Sequence, residues 1–187
     1  MALNEGEWER PDRIGAPHSV DQAHFVAAPL LAGAAIATAS VLGADGARFR
    51  WPGPAMLCFT VAAILLIASL QLAFRGRSCL YSPAELYDWW AGVTPPRRAV
   101  LQDEHKRDLE EWRYWASLAA HSYNLGIVTL GLGAIGVLAP PEGASIAHAW
   151  MRSLAAGAAA AGTAWELTAT VREWRRERPI RPGRGRQ

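Results

Sequence analysis

The chain has 187 residues, 19 basic against 17 acidic for a net charge of +2, and a mean hydropathy of +0.02. This near-zero average mixes very apolar stretches with strongly charged flanks, so it does not argue against a membrane protein. Only two cysteines are present, Cys58 and Cys79, without metal-ligand spacing, which excludes a disulfide scaffold or a zinc module.

The N-terminus, MALNEGEWERPDR, is acidic and polar, unlike a secretory signal, which starts basic and turns apolar within a few residues. Residues 1–20 hold Gly6, Pro11, Gly15 and Pro17 among mixed charges and are expected to carry little order. Ser19 with Gln22 three residues later has capping-box spacing and predicts the start of the first helix. An apolar stretch follows over 25–44, with Pro29 in its first turns. A polar hairpin, DGARFRWPGP, carries Phe49 and Trp51 at its edge. The second stretch, 54–74, is the most hydrophobic and ends at Arg75 and Arg77, which can snorkel to headgroups.

Residues 75–115 form the largest polar region. Ser82-Pro83-Ala84-Glu85 offers a Ser cap, Pro at the first helical position and Glu at the third, predicting a short aromatic helix over 83–91 with Trp89 and Trp90. Pro95-Pro96 is expected to break it, and a charged helix to begin near Arg98. Leu101, His105, Leu109, Trp112 and Ala116 fall on one face of that helix. No Gly or Pro separates it from the third apolar stretch, 116–138, so one continuous helix is expected from about 98 to 138. Pro140-Pro141 ends it. The fourth stretch, 147–171, is the weakest, because Arg152 and Glu166 leave only 13 uncharged residues between them. Residues 172–187 form a basic tail.

The first three stretches carry no Asp, Glu, Lys or Arg, and each is about 20 residues, the length a helix needs to cross ~30 Å of hydrocarbon. Basic residues then sort by loop: two in the N-terminal arm, two in the first hairpin, seven over 75–115, none between Pro140 and the fourth helix, and seven in the tail. With four passes and the N-terminus inside, sixteen of the nineteen face the cytoplasm, as the positive-inside rule demands. Trp51 and Trp150 at one boundary and Trp112, Trp115, Trp165 and Trp174 at the other form aromatic belts. The expected fold is therefore all-α: a four-helix transmembrane bundle (residues 21–171) with a helical cytoplasmic connector between helices 2 and 3. The expected location is a bacterial plasma membrane, with both termini cytoplasmic. Arginine for all basic positions but Lys106, with abundant Ala, Gly and Pro, points to a GC-rich genome.

Five polar residues within the spans are candidates for chemistry. Glu166 is the only carboxylate in a span, which is a functional hypothesis by default. It lies six residues from Arg172, so an interfacial carboxylate paired with a basic neighbour is the favoured reading. Arg152 lies near the opposite edge, 14 residues away and roughly 21 Å along a helix, too far to pair with it. His24 and His121 could in principle ligate haem or metal from neighbouring helices, but nothing in the spacing fixes their facing, and ordinary interfacial histidines are expected. Asn124, beside Ser122, belongs to the most polar patch in any span and is expected to hydrogen-bond a neighbouring helix. Small-xxx-small pairs such as Gly33/Ala37 and Ala158/Gly162 favour close helix packing. No phosphate loop, nucleophile elbow or zinc spacing is present.

GARFRWPGP, YSPAELYDWW and HSYNLG resemble the corresponding runs of uncharacterised small four-pass integral membrane proteins of actinobacteria. The resemblance implies a membrane fold and transfers no activity. The expectation is a non-enzymatic membrane protein, without cofactor or metal, that docks a partner or helps assemble a larger complex. The alternative is a small oligomeric transporter or channel subunit. Its partners are the lipid bilayer, anionic lipid at the basic tail, and another copy or membrane-complex subunit, with no specific nucleic acid.

Overall fold

The computed structural model describes residues 16–82, 85, 95–143 and 145–176. These are helical apart from short connections, with no strand among them. The first long helix comprises α1 (Ala16–Gln22), a π-helical turn (Ala23–Ala27) and α2 (Ala28–Ala44), running on without interruption. A single 3₁₀ turn, Gly46–Arg48, leads to α3 (Pro52–Arg77). Then come α4 (Pro95–Leu138) and α5 (Ile146–Arg176).

The chain is already helical at Ala16, so the first helix starts before Ser19, which lies inside it rather than capping it. The π turn traces to Pro29. Proline has no N–H and its ring crowds the carbonyl four residues back. A wider turn just ahead moves that carbonyl aside, and the Ala28 N–H bonds Ala23 instead. Pro95 and Pro96 begin a helix, three residues ahead of the expected start near Arg98: they occupy the first turn of α4, where a missing N–H is harmless. From there α4 runs 44 residues without a break, joining the charged connector to the third apolar stretch as the lack of breakers predicts. The helix expected over 83–91 lies outside the described residues except for Glu85. So does the tail beyond Arg176, while residues 172–176 continue α5.

Among the described residues three helices are long and apolar enough to cross a membrane: His18–Ala44, Pro52–Arg77 and Val100–Leu138. They support a membrane protein. The fourth, α5, is long enough but less apolar, since alanine and glycine dominate it and Arg152 and Glu166 interrupt it.

Burial follows a 3.5-residue repeat. On α3 buried residues recur at Ala55, Phe59, Ala62, Leu66, Ser69, Ala73 and Gly76, in alternating steps of four and three, with Ala63 buried beside Ala62. On α4 His105, Leu109, Trp112, Ala119, Gly126 and Gly133 keep the same rhythm. This repeat lets one face of a helix follow a neighbour over many turns. The face expected around Leu101, His105, Leu109, Trp112 and Ala116 is the one turned inward.

The chain divides into two units. One comprises residues 1–33 and 64–123, and the other 34–63 and 124–187. In the first, Ala28, Ala32, Leu66, Ala73, Leu109, Trp112 and Ala119 are buried. Gly76 admits two tryptophans there: a Cβ on it would stand 3.2 Å from Trp115 Cβ and 3.6 Å from Trp112 Cδ1. In the second, Ala35, Leu42, Ala55, Phe59 and Ala63 form a cluster, with Phe49, Leu130, Ala134 and Val137 against it. Close approach is again bought with glycine. A Cβ at Gly136 would meet Ala55 at 3.2 Å, one at Gly133 the Phe59 ring at 3.1 Å, and one at Gly131 would collide with Thr163 Oγ1.

α5 meets the rest of its unit along a narrow stripe. Its half-buried residues are Ala149, Arg152, Ala156, Ala159, Thr163 and Thr170; the other described side chains of α5 are exposed, Trp150, Met151, Leu154 and Trp165 among them.

Candidate functional site

The densest polar arrangement is a junction in the first unit, around the end of α3. The last turn of α3 is closed locally: Ser78 Oγ donates to Arg75 O at 2.7 Å, and the Cys79 and Leu80 amides bond Gly76 O and Arg77 O. These bonds satisfy carbonyls that any helix end leaves open. Arg75 lies over the Trp115 ring at 5.4 Å, and Trp115 Nε1 donates to Glu111 at 3.2 Å. Arg77 reaches Asp21 of α1 at 3.4 Å.

Beyond this turn the chain is tied to α4. Tyr81 donates its hydroxyl to Asp108 at 2.6 Å and sets its ring against His105, centroids 5.3 Å apart. Desolvation, then the hydrogen bond to the Asp108 carboxylate, push the Tyr81 phenol well above its ordinary range. Burial likewise raises the Cys79 thiol, so thiolate chemistry is disfavoured there. Ser82 and Glu85 form the predicted capping box: the Ser82 amide donates to Glu85 at 2.6 Å, and the Glu85 amide to Ser82 Oγ at 3.2 Å. The bond from the Ser82 amide holds the Glu85 carboxyl below its usual value.

The five candidates separate. His24 and Tyr123 come together, with ring centroids 5.5 Å apart and planes at 82°. His121, two residues earlier on α4, is turned to its own helix, where Nδ1 lies 2.6 Å from Ser117 O. The next residue, Ser122, donates across to Leu65 O of α3 at 2.8 Å. Asn124 is half-buried. Arg152 caps the end of α4: its guanidinium donates to Val137 O and, at 3.4 Å, to Leu138 O. Glu166 is exposed and forms no ion pair among the described residues, so the expected basic neighbour is not found there. Tyr81, Asp108 and the Asp21–Arg77 pair were missed in the sequence. Their one signal was Asp108, three residues beyond His105 and so on the flank of the buried face.

This arrangement fastens segments together. Among the described residues no group of three or more His, Cys, Asp or Glu could hold a metal. The side chains join α1, the end of α3, the following loop and α4 through bonds that each end on a carboxylate, a carbonyl or a ring. No family model, curated protein or solved structure matches the chain.

Proposed function

We propose that the chain is a four-pass plasma-membrane protein of a bacterium, with both ends in the cytoplasm, that works without catalysis by presenting α4 to a partner or to a larger membrane complex. The observation that carries this reading is the length and asymmetry of α4. Its 44 residues extend about 66 Å at ~1.5 Å per residue, twice the ~30 Å of a hydrocarbon core. The half that lipid does not need is charged and offers Asp103, Glu104, Lys106, Arg107, Glu110 and Tyr114 outward. Its inward face is already used by Leu109 and Trp112, and the Tyr81–Asp108 bond ties the loop after α3 to it. The result is a braced rod with a free polar face. The distribution of arginines supports the orientation, and it makes α5 the fourth pass, since otherwise the basic tail would lie outside.

Two measurements test this. Single cysteines in a Cys-free background are labelled in intact cells with an impermeant reagent: positions 46 and 143 react, 92 and 183 do not. Strong labelling at 183 removes the four-pass arrangement. A photo-crosslinking residue at 104, 107 or 114 captures a discrete partner, and one at Leu109 does not. Equal yields from both faces remove the docking reading.

The rival, a small oligomeric transporter or channel subunit, draws on α5. Gly157 and Gly162 have open space around them, and Trp150, Met151, Leu154 and Trp165 are exposed, a surface that a second copy could cover. Few polar side chains lie deep in the spans, which disfavours a pathway. Loss of an ion flux in reconstituted vesicles on Glu166→Gln would establish the rival instead.

A further inference from the structure

His24 is the most deeply buried ionisable side chain described, only 3% exposed, and its Nδ1 has no hydrogen-bond partner. A bare polar atom inside a protein costs about 1–3 kcal/mol, so a neutral imidazole held this way is poorly served. It sits in the π-helical turn, and turns of this kind occur frequently at functional sites. Three elements supply its surroundings. Its own helix brings Asp21, three residues earlier and therefore on the same face. From α4 comes the Tyr123 ring, neutral and edge-to-face with the imidazole. From α3 comes Arg77, which holds the Asp21 carboxylate at 3.4 Å.

We propose that His24 is a proton-binding site whose counter-ion is Asp21, taken in competition with Arg77. Proton uptake puts a donor on both ring nitrogens and a positive charge beside Tyr123. A buried charge needs a partner, and Asp21 is the carboxylate within a turn of it. Asp21 is already engaged, so its attraction divides between the new imidazolium and Arg77. Taking a proton therefore loosens the tie between α1 and the end of α3, where the loop leading to Tyr81 begins. The inference does not depend on how many times the chain crosses the membrane.

The test is side-chain NMR of the full chain in lipid nanodiscs, with ¹⁵N-labelled histidine. His24→Phe identifies the His24 signal, and His24→Gln serves if that variant does not fold. The signal is expected to pass from neutral to protonated as the pH falls. Asp21→Asn should lower its proton affinity about tenfold, and Arg77→Gln should raise it about tenfold, the equivalent of one pH unit each way. A His24 signal that stays neutral down to about pH 5 overturns the proposal. So does a titration that neither variant moves.

Discussion

Arg152 shows how an expensive residue can be tolerated inside an apolar helix. The carbonyls of Val137 and Leu138 end α4, and Pro140-Pro141 follow, so no further turn of helix can bond them. The arginine fork reaches both from α5. Arg152→Gln should destabilise the protein by about 1–3 kcal/mol, with Arg152→Lys intermediate, because a single ammonium reproduces the charge but not the fork. Thermal unfolding in detergent or nanodiscs reads both. Gly131 presents the complementary case, a residue chosen for what it lacks. A methyl group there collides with Thr163, whose hydroxyl is already bonded to Ala159 O at 2.8 Å. Gly131→Ala should cost about 1–3 kcal/mol by overpacking. Adding Thr163→Gly should recover part of that, and a double-mutant cycle with no coupling between the two sites would contradict the packing described.

At the scale of elements, the cap before Glu85 and the unbroken α4 were both readable from sequence, for the same reason: each depends on residues close together in the chain. A Ser and a Glu at fixed spacing make a capping box locally, and the absence of Gly and Pro over 97–125 lets a helix continue. What joins distant segments was not readable. Tyr81 and Asp108 are 27 residues apart, and the partners of Arg152 are backbone carbonyls, which no residue type announces. The π turn was hidden because a proline inside a helix can be met by a kink, a break or a widened turn. Since the folded state holds the Glu85 carboxyl below the ordinary glutamate value, the cap's contribution is present above that ordinary value and is lost as pH falls through the lower, folded one. The Ser82 amide resonance should report this below about pH 4.5, and Glu85→Gln should flatten the response while keeping much of the cap. Proline at position 110 attacks the other element. It removes a backbone bond in the exposed charged half of α4 and should cost roughly 3 kcal/mol, with circular dichroism showing lost helix.

For the molecule as a whole, legibility divided by the kind of force. Apolar length and the sorting of arginines act through the solvent and need no knowledge of neighbours, so the three apolar helices and the membrane setting could be read from the sequence. Which face of each helix turns inward depends on complementary shapes. On α4 the face was visible because large residues such as Leu109 and Trp112 alternate there with charges. On α2 and α5, where most residues are small, the sequence pattern does not separate a buried alanine from an exposed one.

The buried faces are made largely of alanine, at positions 28, 32, 35, 55, 62, 63, 73 and 119. An alanine codon changes by a single base to valine, threonine, proline, aspartate, glutamate, serine or glycine, and only the last two are small enough to occupy the same space. Most point changes at these positions therefore enlarge a side chain where helices touch, costing about 1–3 kcal/mol each. The exposed alanines at 155, 158, 160 and 161 share the same codon neighbours without that penalty. A library of single substitutions, sorted for correctly inserted protein, should lose valine at the first set and retain it at the second. Equal retention at both would mean that the alanine faces are not where the helices meet.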